Sequence, residues 1–125
     1  MQACIATPDA TVEAQPLRHY VIVRRDLPWG LQAANIVHAA GESSPGDLPR
    51  GTYAVCLHAQ DDANLRAIAQ QLRAADIPYR AICEPDPPWC GQIMAVGIAP
   101  TRDMHGGRLR SIIGALPLVK EATTS

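Results

Sequence analysis

Residues Tyr20–Ser43 read YVIVRRDLPWGLQAANIVHAAGES, and the pattern changes character once along them. Tyr20–Arg25 is a β-branched run of strand length. Asp26–Gly30 (DLPWG) breaks it, because Pro28 lacks a backbone donor and Gly30 frees the chain to turn. From Gly30 to about Ser43 the period becomes helical. Leu31, Ala34, Val37 and Ala40 recur every third residue, and Ala33, Ile36 and Ala39 make the helix apolar on most sides, which predicts that it is well buried. Gln32, Asn35, His38 and Glu42 follow at steps of three, three and four, so they form one polar stripe. Facing water or lining a cleft are both open to that stripe.

On either side of this unit the elements alternate. Residues 1–17 are rich in Pro, Thr and Ala without a period and read as a loose arm. After the loop SSPGDLPRG comes a second strand, Thr52–Ala59. Asp61 or Asp62 caps a helix running to about Ala75, with Leu65, Ile68, Ala69 and Leu72 on its core face. Tyr79–Glu84 and Gln92–Ala99 are strands three and four. Thr101 or Asp103 opens a last helix to about Ala115, weakened by Gly106 and Gly107. LPLVK and a polar tail, residues 121–125, follow. The order β-α-β-α-β-β-α predicts one α/β domain over residues 18–120. Helical crossovers make the first three strands parallel. The short link before strand four makes it antiparallel, giving a mixed four-stranded sheet in a three-layer α/β/α sandwich.

Composition fits that picture. The 125 residues allow one core, and 47% hydrophobic with 18% charged residues is ordinary for a globular chain. Phe is absent, so aliphatic residues and Met build the interior. A net charge of −1 gives no global attraction for nucleic acid, so any RNA contact would be local. No apolar run approaches the roughly 20 residues of a membrane helix. The N-terminus lacks the basic and apolar regions of a secretory signal, and a cytoplasmic location is expected. The four cysteines, Cys4, Cys56, Cys83 and Cys90, have no paired metal spacing and read as reduced thiols. No metal and no cofactor are expected. Cys83 and Cys90 flank one loop. Cys56 and His58 share a strand face but have no third ligand, so a structural role is favoured. His19 and His105 read as surface or boundary residues.

Ligands of open α/β sheets gather at the carboxyl ends of the parallel strands. Three segments meet there: Arg24-Arg25-Asp26 with the turn to Gly30, His58–Asp62, and Cys83–Cys90 (CEPDPPWC). The first sets a basic pair and a carboxylate before a helix N-terminus, which favours anions. The third carries Glu84, Asp86 and an indole on a loop stiffened by proline. Turn formation and capping explain Asp26 equally well, and Trp29 and Trp89 also suit a simple cover for the sheet ends.

The opening unit resembles that of the type 2 peptidyl-tRNA hydrolases. In that family a strand ending Val-Arg-x-Asp-Leu leads through a turn to a helix with Ala-Ala-Gln-x-x-His-Ala. Val23, Arg24, Asp26 and Leu27 match the strand end, and Gly30, Ala33, Ala34, His38 and Ala39 match the turn and helix. Ile93–Pro100 (IMAVGIAP) resembles the family's last strand, and LPLVK its usual ending. The likeness spans roughly Tyr20 to Lys120. It departs where Leu31 takes the place of a turn lysine, Asn35 replaces the helix Gln, and no Thr follows Asp86 in the EPD loop. These departures resemble a divergent bacterial branch.

The resemblance implies a three-layer sandwich, often homodimeric and cofactor-free, that hydrolyses the ester between a peptide or N-blocked amino acid and the tRNA 3′ end. Such a reaction needs an oriented water, a proton acceptor and oxyanion donors. On this reading His38, Asp86 or Glu84 orients or activates water, and Asn35 and Gln32 donate to the carbonyl oxygen. Arg24, Arg25, Asp26 and Gly30 with the helix N-terminus hold a phosphate or the terminal ribose. The alternative is a non-catalytic member of the fold binding a small ligand, an RNA end or a protein, and a third possibility is a helix stripe that faces a second copy.

Overall fold

The computed structural model describes residues 15–120, so nearly all of the expected N-terminal arm, the polar tail and Cys4 lie outside it. It is an α/β structure with β1 (Arg18–Arg24), α1 (Trp29–Ser43), β2 (Tyr53–Ala59), α2 (Asp62–Ala74), β3 (Tyr79–Glu84), β4 (Gln92–Thr101) and α3 (Arg108–Ile113). The strands form one mixed four-stranded sheet in the order β2-β1-β4-β3. β1 and β2 are parallel, with Val23 opposite His58. β4 is antiparallel to both β1 and β3, and each of these pairings carries a register shift. Beyond β2, Leu118 bridges to Leu57, the His58 N–H donates to the Pro117 carbonyl, and the Val119 N–H donates to that of Cys56. The chain after α3 thus covers the outer edge of β2.

Strand alternation sorts the core. Tyr20 and Ile22 of β1 join Leu65, Ile68 and Leu72 of α2 and Leu109 and Ile113 of α3 in one apolar cluster. Val21 and Val23, pointing the other way, join Leu27, Ala39, Met94 and Ala95 in a second. Asp61 caps α2, its side chain accepting from the Asn64 N–H at 2.8 Å.

Helix α1 sits the other way round from its apolar count. Its buried residues are Gln32, Asn35, Ala39 and Ser43. Val37 is 72% exposed, Trp29 45% and Leu31 37%, with Ala33 and Ala34 also outward. Gln32, Asn35 and Ser43 turn inward, and each has a hydrogen-bond partner for its buried polar group. Ser43 Oγ donates to the Ala39 carbonyl at 2.7 Å and so accepts from His19 Nε2 at 2.8 Å. His19, expected near the surface, is therefore buried between β1 and α1. The seam is close because Gly97 of β4 has no side chain: a Cβ there would collide with the Ala39 carbonyl oxygen and Ser43 Oγ.

The last helix is shorter than its sequence suggests. Met104, His105, Gly106 and Gly107 all have positive φ (57°, 54°, 67° and 92°), so no right-handed turn begins before Arg108. Met104 is instead buried, its sulfur accepting from the Tyr20 hydroxyl at 3.1 Å. Thr101 belongs to β4.

The Gly97 contact gives a direct test. Gly97→Ala should lower stability by about 1–3 kcal/mol by wedging α1 off the sheet, read as a lower urea midpoint. The same change at Gly30, where an added Cβ meets nothing within 4 Å, should be neutral or mildly stabilising.

Candidate functional site at the carboxyl edge of the sheet

Arg24, the last residue of β1, is 4% exposed and organises this edge. Its Nε and Nη2 donate to the two carboxylate oxygens of Asp26 at 2.8 and 2.7 Å. Its Nη1 donates to Gln92 Oε1 at 2.8 Å and to the Ile93 carbonyl at 3.3 Å. The guanidinium also lies 5.3 Å from the centroid of the Trp89 ring. The planar fork matches a carboxylate in a way a lysine cannot. Its hydrogen bonds hold the Asp26 carboxyl below the ordinary carboxylate value. One side chain thus joins the β1–α1 turn to the β3–β4 hairpin.

The hairpin is fixed from a second side. Asp62, at the start of α2, accepts from the Ile93 N–H at 2.9 Å and from Arg66 Nε at 3.0 Å, while Arg66 Nη2 donates to the Gly91 carbonyl at 3.3 Å. Within the loop, Glu84 Oε2 accepts from the Asp86 N–H at 3.1 Å, and the Asp86 carbonyl accepts from the Trp89 and Cys90 N–H groups. The peptide Pro87–Pro88 is cis. Cys83 and Cys90 are both free and exposed.

A third cluster lies where the first turn of α1 covers β2. Gln32 Nε2 donates to the Leu27 carbonyl at 2.7 Å and to that of Arg25 at 3.3 Å. Its Oε1 lies 2.7 Å from His58 Nε2. Trp29 leans over the same imidazole, with ring centroids 6.3 Å apart and planes inclined at 37°. Burial, and secondarily the Arg25 charge, push the His58 pKa below the ordinary histidine value. Burial does the same at His19.

The expected site residues therefore separate into groups. Arg24 and Asp26 pair at the turn, Glu84 and Asp86 bond each other in the hairpin, and Arg24 reaches that hairpin at Gln92, the strand partner of Glu84, with Asp86 exposed. Arg24 and Asp26 satisfy one another, so Arg24 is a brace and not an open anion ligand. Arg25 is exposed, with no ion-pair partner among the described residues. Gly30 is the second residue of α1, whose first turn has no side-chain cap and no acidic residue. The polar stripe divides: Gln32 and Asn35 are buried, whereas His38 and Glu42 are exposed. Both amide hydrogens of Gln32 go to carbonyls, and Asn35 Nδ2 donates to the Leu31 carbonyl at 2.9 Å. Those bonds leave Gln32 no hydrogen for an oxyanion. His38 stands about 13 Å along the helix from Trp29, at 1.5 Å per residue.

Sequence reasoning set His58 beside Cys56 and passed over its link to Gln32. The available signal was parallel register, which puts His58 level with Val23 on the α1 side. No group of three His, Cys, Asp or Glu side chains suited to a metal occurs among the described residues. No helix among them is long and apolar enough to cross a membrane. A cleft of about 400 Å³ lies at the opposite end of α1, between Ser43–Pro45 and Pro78–Arg80, away from this chemistry. No protein-family model matches the chain, and no curated protein matches it.

Two outcomes test the electrostatics. Arg24→Lys keeps the charge but loses the fork, and should cost about 1–3 kcal/mol with faster amide exchange at Gly91 and Gln92. His19 and His58 titrate below the ordinary histidine value when folded, so the unfolded chain takes up protons first as the pH falls. Their contribution is complete above about pH 6.5 and is lost as the pH drops through the folded-state values. The urea midpoint should fall between about pH 7 and pH 5, and an unchanged midpoint would contradict it.

Proposed function

We propose that this edge receives the acylated 3′ end of a tRNA. The protein then acts as a peptidyl-tRNA hydrolase-like enzyme on the three-layer α/β/α sandwich of the type 2 family. One observation carries the reading: Arg24 joins the RRDLPWG turn to the EPD hairpin. These two motifs, distant in sequence, thereby supply one edge with a cation, carboxylates and exposed aromatic surface. The order of elements and the motif matches at Val23–Leu27, Gly30–Ala39 and Ile93–Pro100 support the same family.

The chemistry divides among these groups. Arg25 and the uncapped start of α1 attract the phosphates next to the terminal nucleotide. Trp29 offers an exposed indole face for its base. Asp86 and Glu84 orient the water. His38, on the open flank of α1, meets the part of the substrate that runs along the helix. A cytoplasmic location accords with such a substrate. The second reading, a non-catalytic module for an RNA end or small ligand, is favoured by the amide hydrogens of Gln32, which are already engaged with carbonyls.

Purified protein should release N-acetylated amino acid from N-acetyl-aminoacyl-tRNA faster than buffer. His38→Ala and Asp86→Ala should each lower kcat/KM about 10- to 100-fold. Binding of the tRNA without release would select the non-catalytic reading. Release untouched by both changes would keep the activity and remove these two residues from it.

A further inference from the structure

Gln32 fixes the protonation pattern of His58. A backbone carbonyl only accepts, so the two carbonyls facing Gln32, those of Leu27 and Arg25, require its NH2 group. The amide cannot be turned over without setting its oxygen against both. Its Oε1 therefore faces His58, and an amide oxygen also only accepts. His58 Nε2 must carry the proton, which leaves Nδ1 with a free lone pair in the neutral ring. Nδ1 has no hydrogen-bond partner among the described residues, and the enclosed unpaired polar atom among them is His105 Nε2, not this one. An oriented neutral imidazole with one open nitrogen thus stands at the carboxyl end of β2, beside the exposed Trp29 and Arg25.

We infer that His58 is the proton acceptor of this edge and that Gln32 is its positioning residue; the inference rests on the hydrolase reading given above. Nδ1 takes a proton from water as the water oxygen attacks the ester carbonyl carbon. The bond from that carbon to the ribose 3′ oxygen breaks, and the departing oxygen takes the proton back from Nδ1. The ring begins and ends neutral, and the acyl product leaves as a carboxylic acid that ionises in solvent. Gln32 keeps the ring in one tautomer and one orientation while the proton passes, the service that the partner of a catalytic histidine provides. Burial first, and the Arg25 charge second, lower the pKa of the ring and so favour its unprotonated form. Arg25 is the charge acting on it, Cys56 shares its strand face, α1 offers no ionisable group from Trp29 to Val37, and Pro117–Val119 offers none. The cost is a weaker base, offset by a larger neutral fraction as the pH falls.

The test combines tautomer and kinetics on the full chain. Long-range ¹H–¹⁵N spectra of the imidazoles should place the His58 proton on Nε2 at neutral pH. A proton on Nδ1 overturns the assignment whatever the activity. His58→Gln sets its amide nitrogen near the position of the ring Nε2, keeping a donor for Gln32 while removing the base. Against N-acetyl-aminoacyl-tRNA, its kcat should fall about 100-fold or more, with KM within about threefold of the parent. The acid limb of the parent kcat/KM profile should lie below about pH 6.5 and vanish in the variant. If His58→Gln does not fold, the parent tautomer and acid limb decide alone, and an absent limb overturns the proposal. An active parent with an unimpaired His58→Gln overturns this assignment and leaves the hydrolase reading intact. An inactive parent overturns both.

Discussion

The seating of α1 on the sheet governs the rest of the molecule. Gly97 lets the helix backbone come close at its far end, where Ser43 and His19 bond. Gln32 and His58 bond at the near end. Two buried histidines on neighbouring strands thus hold one helix at its two ends. Apolar contacts are tolerant of small slides, whereas hydrogen bonds in a dry seam are directional and costly to leave unmade. The position of Trp29 over β2, and the course of the Arg25–Pro28 turn, follow from that seating.

The strands were legible because they are short β-branched runs bounded by Pro and Gly, and their directions follow from the links between them; the spatial order, with β4 between β1 and β3, was not read from the sequence. β3 matches the sequence reading at both ends, and β1, β2 and β4 differ from it by a residue or two. The inward face of α1 was not legible. Half of its apolar residues are alanines, which bury little area each, so the helix had no strong apolar side to orient it. The choice was made by partners invisible in a linear pattern: a glycine on β4 and histidines on β1 and β2. The late start of α3 had the same origin, since Met104 is drawn under Tyr20 by tertiary contact.

The candidate site was half visible. Turn and hairpin were both expected at the carboxyl edge, and Arg24 does span them. That Arg24 and Asp26 satisfy each other was hidden, because side chains two apart at a strand end have no fixed relation until the turn forms. His58 was placed at the carboxyl edge and read as structural beside Cys56, and its hydrogen bond to Gln32 was missed. Its significance depends on the amide of Gln32, 26 positions earlier, and hydrogen-bond direction has no signature in composition or spacing.

The strap Pro117–Val119 lies against β2, the strand that carries His58. A bare outer strand offers unpaired N–H and C=O groups on which another chain can template. Here the molecule supplies that pairing itself, and its proline has no N–H to extend the ladder outward. Shortening the chain from its C-terminal end would therefore threaten solubility before it threatened the core, by opening a seam for edge-to-edge stacking beside the proposed reaction centre.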